Sequence, residues 1–195
     1  MNAEKKLEVK RQLFHLTLGT TIALVVWILK PKYGNFILIP LLMAIFLLLA
    51  LPKVAPDSKV SKHLLTHFER EKMIKKFPYK GAILYGVGII FPILLLPVEL
   101  ACVVILILSI GDAASTLIGK FHGKLRIGDK SLEGTIAFII FGFTGVILFL
   151  EIIGSMELAK KVFLLTVVGA LVELQGVVDD NLTVPIALTI LARLI

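Results

Sequence analysis

VELACVVILILSIGDAASTLIGKFHGKLRIGDKSLEGT (98–135) begins as an apolar run and acquires an aspartate among small residues. It then crosses a stretch with four cations and turns apolar again just after a glutamate. The first half decides the fold. Val98–Ile118 approaches the roughly 20 residues that a helix needs to cross a bilayer. Comparable runs recur on both sides, at Leu13–Leu29, Phe36–Leu51, Ala82–Pro97, Thr135–Ile153 and Leu158–Val178, and a shorter one lies at Leu182–Ile195. The 195 residues are 57% hydrophobic and 18% charged, with a mean hydropathy of +0.95. A water-soluble domain has nowhere to hide that much apolar surface. The sequence therefore predicts an all-α fold, a polytopic membrane helix bundle of six to seven transmembrane helices, the last short enough to span only partly. No repeat or linker divides residues 1–195, which read as a single integral-membrane domain. Cys102, the one cysteine, can form no intrachain disulfide.

Lysine and arginine are divided unevenly between the connections. Sixteen fall in the N-terminal lead, in the connection from Lys53 to Lys80 and in the one from Lys120 to Lys130, and five on the opposite side. The positive-inside rule then places the N-terminus and the loop 120–133 in the cytoplasm. The formal charge of +7 is explained by that asymmetry and by anionic lipid headgroups. Nucleic acid is excluded as a partner, because no aromatics interleave the basic residues and no binding module is present. Within 57–77, Val60, Leu64 and Phe68 recur every four residues behind a cap at Asp57 or Ser58, which predicts an amphipathic helix lying on the cytoplasmic leaflet.

Acids inside apolar helices are costly, so each one marks a functional site. Asp112 lies near the end of its run, Glu133 at the start of the next, and Glu173 inside the sixth, with Asp179 and Asp180 at its end. All of them fall toward the cytoplasmic half. Asp112 supplies a hard carboxylate of the kind that binds Mg²⁺, which in turn bridges to substrate phosphates. Ser115 and Gly119 are small enough for a ligand to come close, and Lys120, Lys124, Arg126 and Lys130 follow in a loop that bends at Gly123 and Gly128. Ser131 can cap the next helix, whose N-terminus favours an anion. Acids, cations and a flexible backbone together predict a phosphate site. Lys10, Arg11 and His15 open the first helix, with Arg11 and His15 on one face. Asn181 adds another oxygen donor. No P-loop, GxGxxG fingerprint or kinase-type catalytic loop is present.

These motifs occur in the order KRQLFH (10–15), PYKGAILYGVG (78–88), GDAASTLIGKFHGK (111–124), KSLEGT (130–135), Glu173 and DDNLTVP (179–185). That set resembles the polyprenol kinases, the integral-membrane family that includes dolichol kinase, phytol kinase and CTP-dependent diacylglycerol kinase. Lys10-Arg11 reverses the basic order often seen in that family, and Lys120 stands where arginine is common. The resemblance implies a CTP-dependent, Mg²⁺-assisted phosphoryl transfer to the hydroxyl of a membrane lipid alcohol. It also implies functional positions at Lys10, Arg11, His15, Asp112, Gly119, Lys130, Glu133, Glu173, Asp179, Asp180 and Asn181.

Phosphoryl transfer needs positioning and charge neutralisation more than covalent help. Asp112, with Asp179 or Asp180, is assigned to the metal. Lys120, Lys124 and Lys130 are assigned to the triphosphate, with Lys10, Ser115, Gly119, Ser131 and Asn181 beside the nucleotide. Arg11 and His15 are placed among the catalytic groups, Arg11 to neutralise the transferring group. Glu133 or Glu173 accepts the hydroxyl proton. Two alternatives are a cytidylyltransferase that makes a CDP-activated lipid, which would release pyrophosphate, and a transporter, in which buried acids mark an ion path.

Overall fold

The computed structural model describes residues 3–56, 58, 59, 61, 63, 65, 74, 76–176 and 178–195. The apolar runs become helices because a backbone without water must satisfy its polar groups internally. α1 (Ala3–Tyr33) and α2 (Leu38–Val54) are joined by a 3₁₀ turn at Gly34–Ile37. α3 spans Lys80–Leu95. α4 (Val98–Leu106), a π turn (Ile107–Gly111) and α5 (Asp112–His122) run on without a break. α6 (Leu132–Ile153), α7 (Ala159–Gln175) and α8 (Asp180–Leu194) complete the bundle. A two-stranded antiparallel hairpin interrupts the helices, β1 (Arg126–Ile127) pairing with β2 (Lys130–Ser131) across Gly128-Asp129.

Three stretches among the described residues are long and apolar enough to cross a membrane: Lys5–Val54, which contains most of α1 and all of α2, Val98–His122 and Leu132–Ile153. Lys80–Leu95 is apolar but shorter, and α7 and α8 have 17 and 15 residues. Each of the seven expected runs thus forms helix, while only some reach full spanning length.

Beyond Glu99 in its first turn α4 is apolar and buried, and from Ala101 through Leu108 in the π turn the chain is almost wholly inaccessible, as expected of a central helix. Val26 of α1, Ile89 of α3, Phe138 and Leu150 of α6, Leu165 of α7 and Leu188 of α8 share its core cluster. The periphery is apolar too: Phe46 is 69% and Ile152 84% exposed. An apolar exterior around an apolar core suits a protein whose solvent is lipid.

Two glycines bring the polar helix ends together. A Cβ on Gly88 would lie 2.1 Å from the Asn181 carbonyl oxygen, so its absence lets α3 and α8 approach backbone to backbone. Gly176 ends α7 with φ +58°, a left-handed cap that suits glycine and turns the chain toward Asp180.

The N-terminal segment and the end of α5, both expected on the same side of the membrane, are neighbours. The Lys5 ammonium stands 5.3 Å from the Phe121 ring centroid, and Lys120 pairs with Glu8 at 2.5 Å. The amphipathic helix expected over 57–77 lies largely outside the described residues, including Asp57, Val60, Leu64 and Phe68. Within it, the Ser58 hydroxyl accepts the Ser61 N–H at 3.1 Å, as a cap would.

Candidate active site

One polar cleft of about 960 Å³ opens among helix ends: the starts of α1, α3 and α8 and the ends of α5 and α7, with the hairpin across it. Asp112 enters from the first turn of α5, directly after the π turn, a local widening common at functional sites. Glu173, 1% exposed, comes from the last turns of α7, and Asp180 from the first turn of α8. Oxygens of Asp112, Glu173 and Asp180 lie within 4.8 Å of one another.

Two of the three carboxylates, Glu173 and Asp180, are only partly satisfied. The Ser115 hydroxyl donates to Glu173 Oε1 at 2.8 Å, and the Lys130 ammonium bridges Glu173 Oε1 and Asp180 Oδ2. Glu173 Oε2 and Asp180 Oδ1 are buried without a partner. Burial alone works against a charged Lys130, but Glu173 and Asp180 outweigh it and hold its pKa above the ordinary lysine range. Three clustered carboxylates with two unpartnered oxygens fit a hard divalent cation, which binds oxygen ligands in numbers.

Most of the expected site residues gather here. Arg11, Asp112, Ser115, Gly119, Lys120, Lys130, Ser131, Glu173, Asp179, Asp180 and Asn181 line the cleft. Ser131 caps α6 as expected, its hydroxyl accepting the Gly134 N–H at 3.1 Å. His15 lies at the cleft's inner edge, its Nε2 3.8 Å from Asp112 Oδ2 and its ring edge-on to Tyr85 at 4.6 Å.

The carboxylate set differs from the expected one. Asp179, the residue before the first turn of α8, has extended backbone and lines the cleft outside the cluster, paired with Lys80 at 3.2 Å. Glu173 stands in the cluster where Asp179 was expected. Glu133 is not brought to the cluster: its Oε1 accepts the backbone N–H groups of Lys124 and Leu125 at 2.9 and 3.2 Å, clasping the loop. Lys10 and Lys124 are exposed and do not line the cleft.

Sequence reasoning missed several participants. Glu8 is buried and holds Arg11 at 3.2 Å as well as Lys120, and Gln12 donates to Glu8 at 3.2 Å. Glu8, Arg11, Gln12 and His15 follow the three- and four-residue helical spacing, the signal that could have found them. Lys80 also lines the cleft, beside Arg126, one of the loop cations expected at the phosphate site.

A second, more apolar cavity of about 220 Å³ adjoins the first. Arg11, Gln12, Gly81, Asp112 and Asn181 line both, and among the described residues Asp112 is the carboxylate they share.

The placement separates the two glutamates expected as proton acceptors. Glu173→Gln should lower turnover by about 10²-fold or more, the scale of a positioned acid–base group, and Glu133→Gln by less than about tenfold. Initial rates of the two purified variants check this, and a larger loss at Glu133 would contradict it.

No family model matches the chain, and no solved structure matches it. The chain is similar to an uncharacterized protein of Methanocaldococcus jannaschii, 32% identical over 138 residues covering 68% of each chain. It is also similar to probable phytol kinase 1, chloroplastic, of Glycine max, 27% identical over 199 residues, or 91% of this chain and 63% of that one. Dolichol kinase of Saccharomyces cerevisiae is 34% identical over 95 residues, 45% of this chain and 18% of that one. The chain thus spans less than two thirds of the phytol kinase and under a fifth of the dolichol kinase.

Proposed function

The chain belongs to the polyprenol/phytol kinase-like family, and from that premise we propose that it is an integral-membrane lipid kinase. It transfers the γ-phosphoryl of CTP to the hydroxyl of a lipid alcohol of polyprenol, dolichol or related isoprenoid type. Residues 1–195 act as a single kinase domain with its site facing the cytoplasm. The observation that carries this reading is the cluster of Asp112, Glu173 and Asp180, with its unpartnered oxygens, in a cleft ringed by cations.

Asp112, Glu173 and Asp180 would hold Mg²⁺ or a similar divalent ion, which supplies charge neutralisation at phosphate oxygens. Lys120, Arg126 and Lys130 line the outer part of the cleft and bind the triphosphate. Arg11 lies between the two cavities and neutralises the transferring group. The acceptor oxygen forms its bond to the γ-phosphorus, and the bond from that phosphorus to the β-phosphate oxygen breaks, so CDP leaves with the electron pair. The hydroxyl proton passes to a carboxylate of the cluster. We assign that role to Asp112, and its lining of both cavities supports the assignment. Placing these groups beforehand is how an enzyme lowers a barrier dominated by charge.

Selection for cytosine comes from polar groups aimed at its edge, since no P-loop cradles the phosphates. A panel of CTP, ATP and GTP with geranylgeraniol, phytol and dolichol tests the reading. CTP should be used in strong preference, giving a lipid monophosphate. Efficient use of ATP without a preference for CTP would contradict the proposed donor.

A further inference from the structure

Three buried polar atoms beside the cleft have no hydrogen-bond partner: Gln12 Oε1, His15 Nε2 and Asn181 Oδ1. An unsatisfied buried acceptor is costly and calls for a ligand group or water. All three residues line the smaller cavity, where it meets Asp112. Beyond Arg11, Gly81 and Asp112, which it shares with the cleft, the rest of its wall is apolar or aromatic: Phe14, Leu18, Leu48, Tyr79, Ala82 and Tyr85.

The size of this cavity limits what it can hold. Its volume of about 220 Å³ is below the roughly 300–1,000 Å³ of sites that enclose a whole small ligand. It fits the end of a longer molecule whose remainder lies elsewhere, and the outer wall shows where. Phe14 and Leu18 on α1 are 41% and 37% exposed. Leu48 belongs to α2, a helix on which Leu38 is the buried residue. In a membrane-spanning bundle such exposed apolar residues meet lipid, and they line the cavity on one side while Asp112 of the carboxylate cluster lines it on the other.

We infer that this cavity is the acceptor subsite, which a lipid alcohol enters laterally between α1, α2 and α3, hydroxyl first. On entry the hydroxyl donates to His15 Nε2 or Asn181 Oδ1 and turns that same proton to Asp112 as transfer begins, while the chain passes Leu18 and Ala82 and stays in the bilayer. Leu18 and Ala82 become specificity-determining positions. The inference rests on the lipid-kinase reading and adds to it the route and the residues that receive the acceptor.

Photo-crosslinking tests it without requiring turnover. A geranylgeraniol analogue carrying a diazirine near its hydroxyl is irradiated with the full-length protein in nanodiscs, and the adducts are mapped by mass spectrometry. Adducts should fall on Phe14, Leu18, Leu48, Tyr79 and Ala82 and be competed away by unlabelled geranylgeraniol. Ala82→Trp, outside the carboxylate cluster, should raise KM for the alcohol at least about tenfold and leave KM for CTP within about twofold. Adducts confined to the outer faces of α6 and α7 would overturn the subsite. So would an equal rise in both KM values. An active kinase with its adducts elsewhere refutes the subsite alone, whereas competed adducts in the cavity without any phosphorylated alcohol refute the kinase reading.

Discussion

Asp112→Asn is expected to lower phosphoryl transfer by roughly 10²–10⁴-fold, the range lost when a positioned acid–base group is removed. The substitution keeps the shape of the side chain and removes its charge. Asp112 is the carboxylate common to the polar cleft and the apolar cavity, and it contributes one of the three clustered oxygens. Losing its charge weakens the hold on a divalent cation and removes the proton acceptor nearest the hydroxyl. Folding should survive, because the variant removes a buried negative charge from a cluster of like charges and leaves the pairing of Lys130 with Glu173 and Asp180 intact. Initial rates at saturating Mg²⁺, with thermal unfolding in detergent as the control, check both halves. Near-normal turnover would remove Asp112 from the site.

Lys130→Met should be damaging in a different way. The ammonium sits between Glu173 and Asp180, and its removal leaves buried carboxylates facing one another with no cation between them. Breaking such a pair from one side costs on the order of 3 kcal/mol, enough to lower the melting temperature by several degrees. The expected signature is a melting temperature that depends on the divalent cation. Mg²⁺ should stabilise Lys130→Met more than the wild type, since the ion then supplies the counter-charge that the ammonium did. KM for CTP should rise as well, because the triphosphate loses a cation. An unchanged melting temperature that is indifferent to Mg²⁺ would show that the bridge is not formed in solution.

Much of this site can be read from the sequence, and the residues that cannot have a physical reason. Acids at membrane depth stand out because their cost is visible in one dimension: Asp112, Glu173 and Asp180 are each conspicuous against apolar neighbours. The cap at Ser131 is equally local, since it depends on a residue type followed by a helix. Choosing between Asp179 and Asp180 is not local. The two are adjacent, and which one joins Asp112 and Glu173 depends on where α8 begins and on Lys80 standing across from Asp179. Glu133 stands apart from the cluster for a similar reason. Its position at the start of an apolar run suggested chemistry, but the bend of the 120–130 loop brings two backbone N–H groups to it instead. Glu8 was hidden because α1 begins well before its apolar run, and a glutamate in a charged lead looks solvated until Lys120 and Arg11 close on it. The small hairpin carries no alternating pattern long enough to announce two-residue strands.

The measurement that bears most directly on the central claim is the fate of two labels. CTP labelled at the γ-phosphate, and separately at the α-phosphate, is incubated with the purified protein, Mg²⁺ and either geranylgeraniol or geranylgeranyl phosphate, and the lipid phase is extracted and counted. A kinase moves the γ label into the lipid phase as a monophosphate while the α label stays in water as CDP, and that is the expected result. Release of pyrophosphate with the α label in the lipid would contradict it and make the protein a cytidylyltransferase.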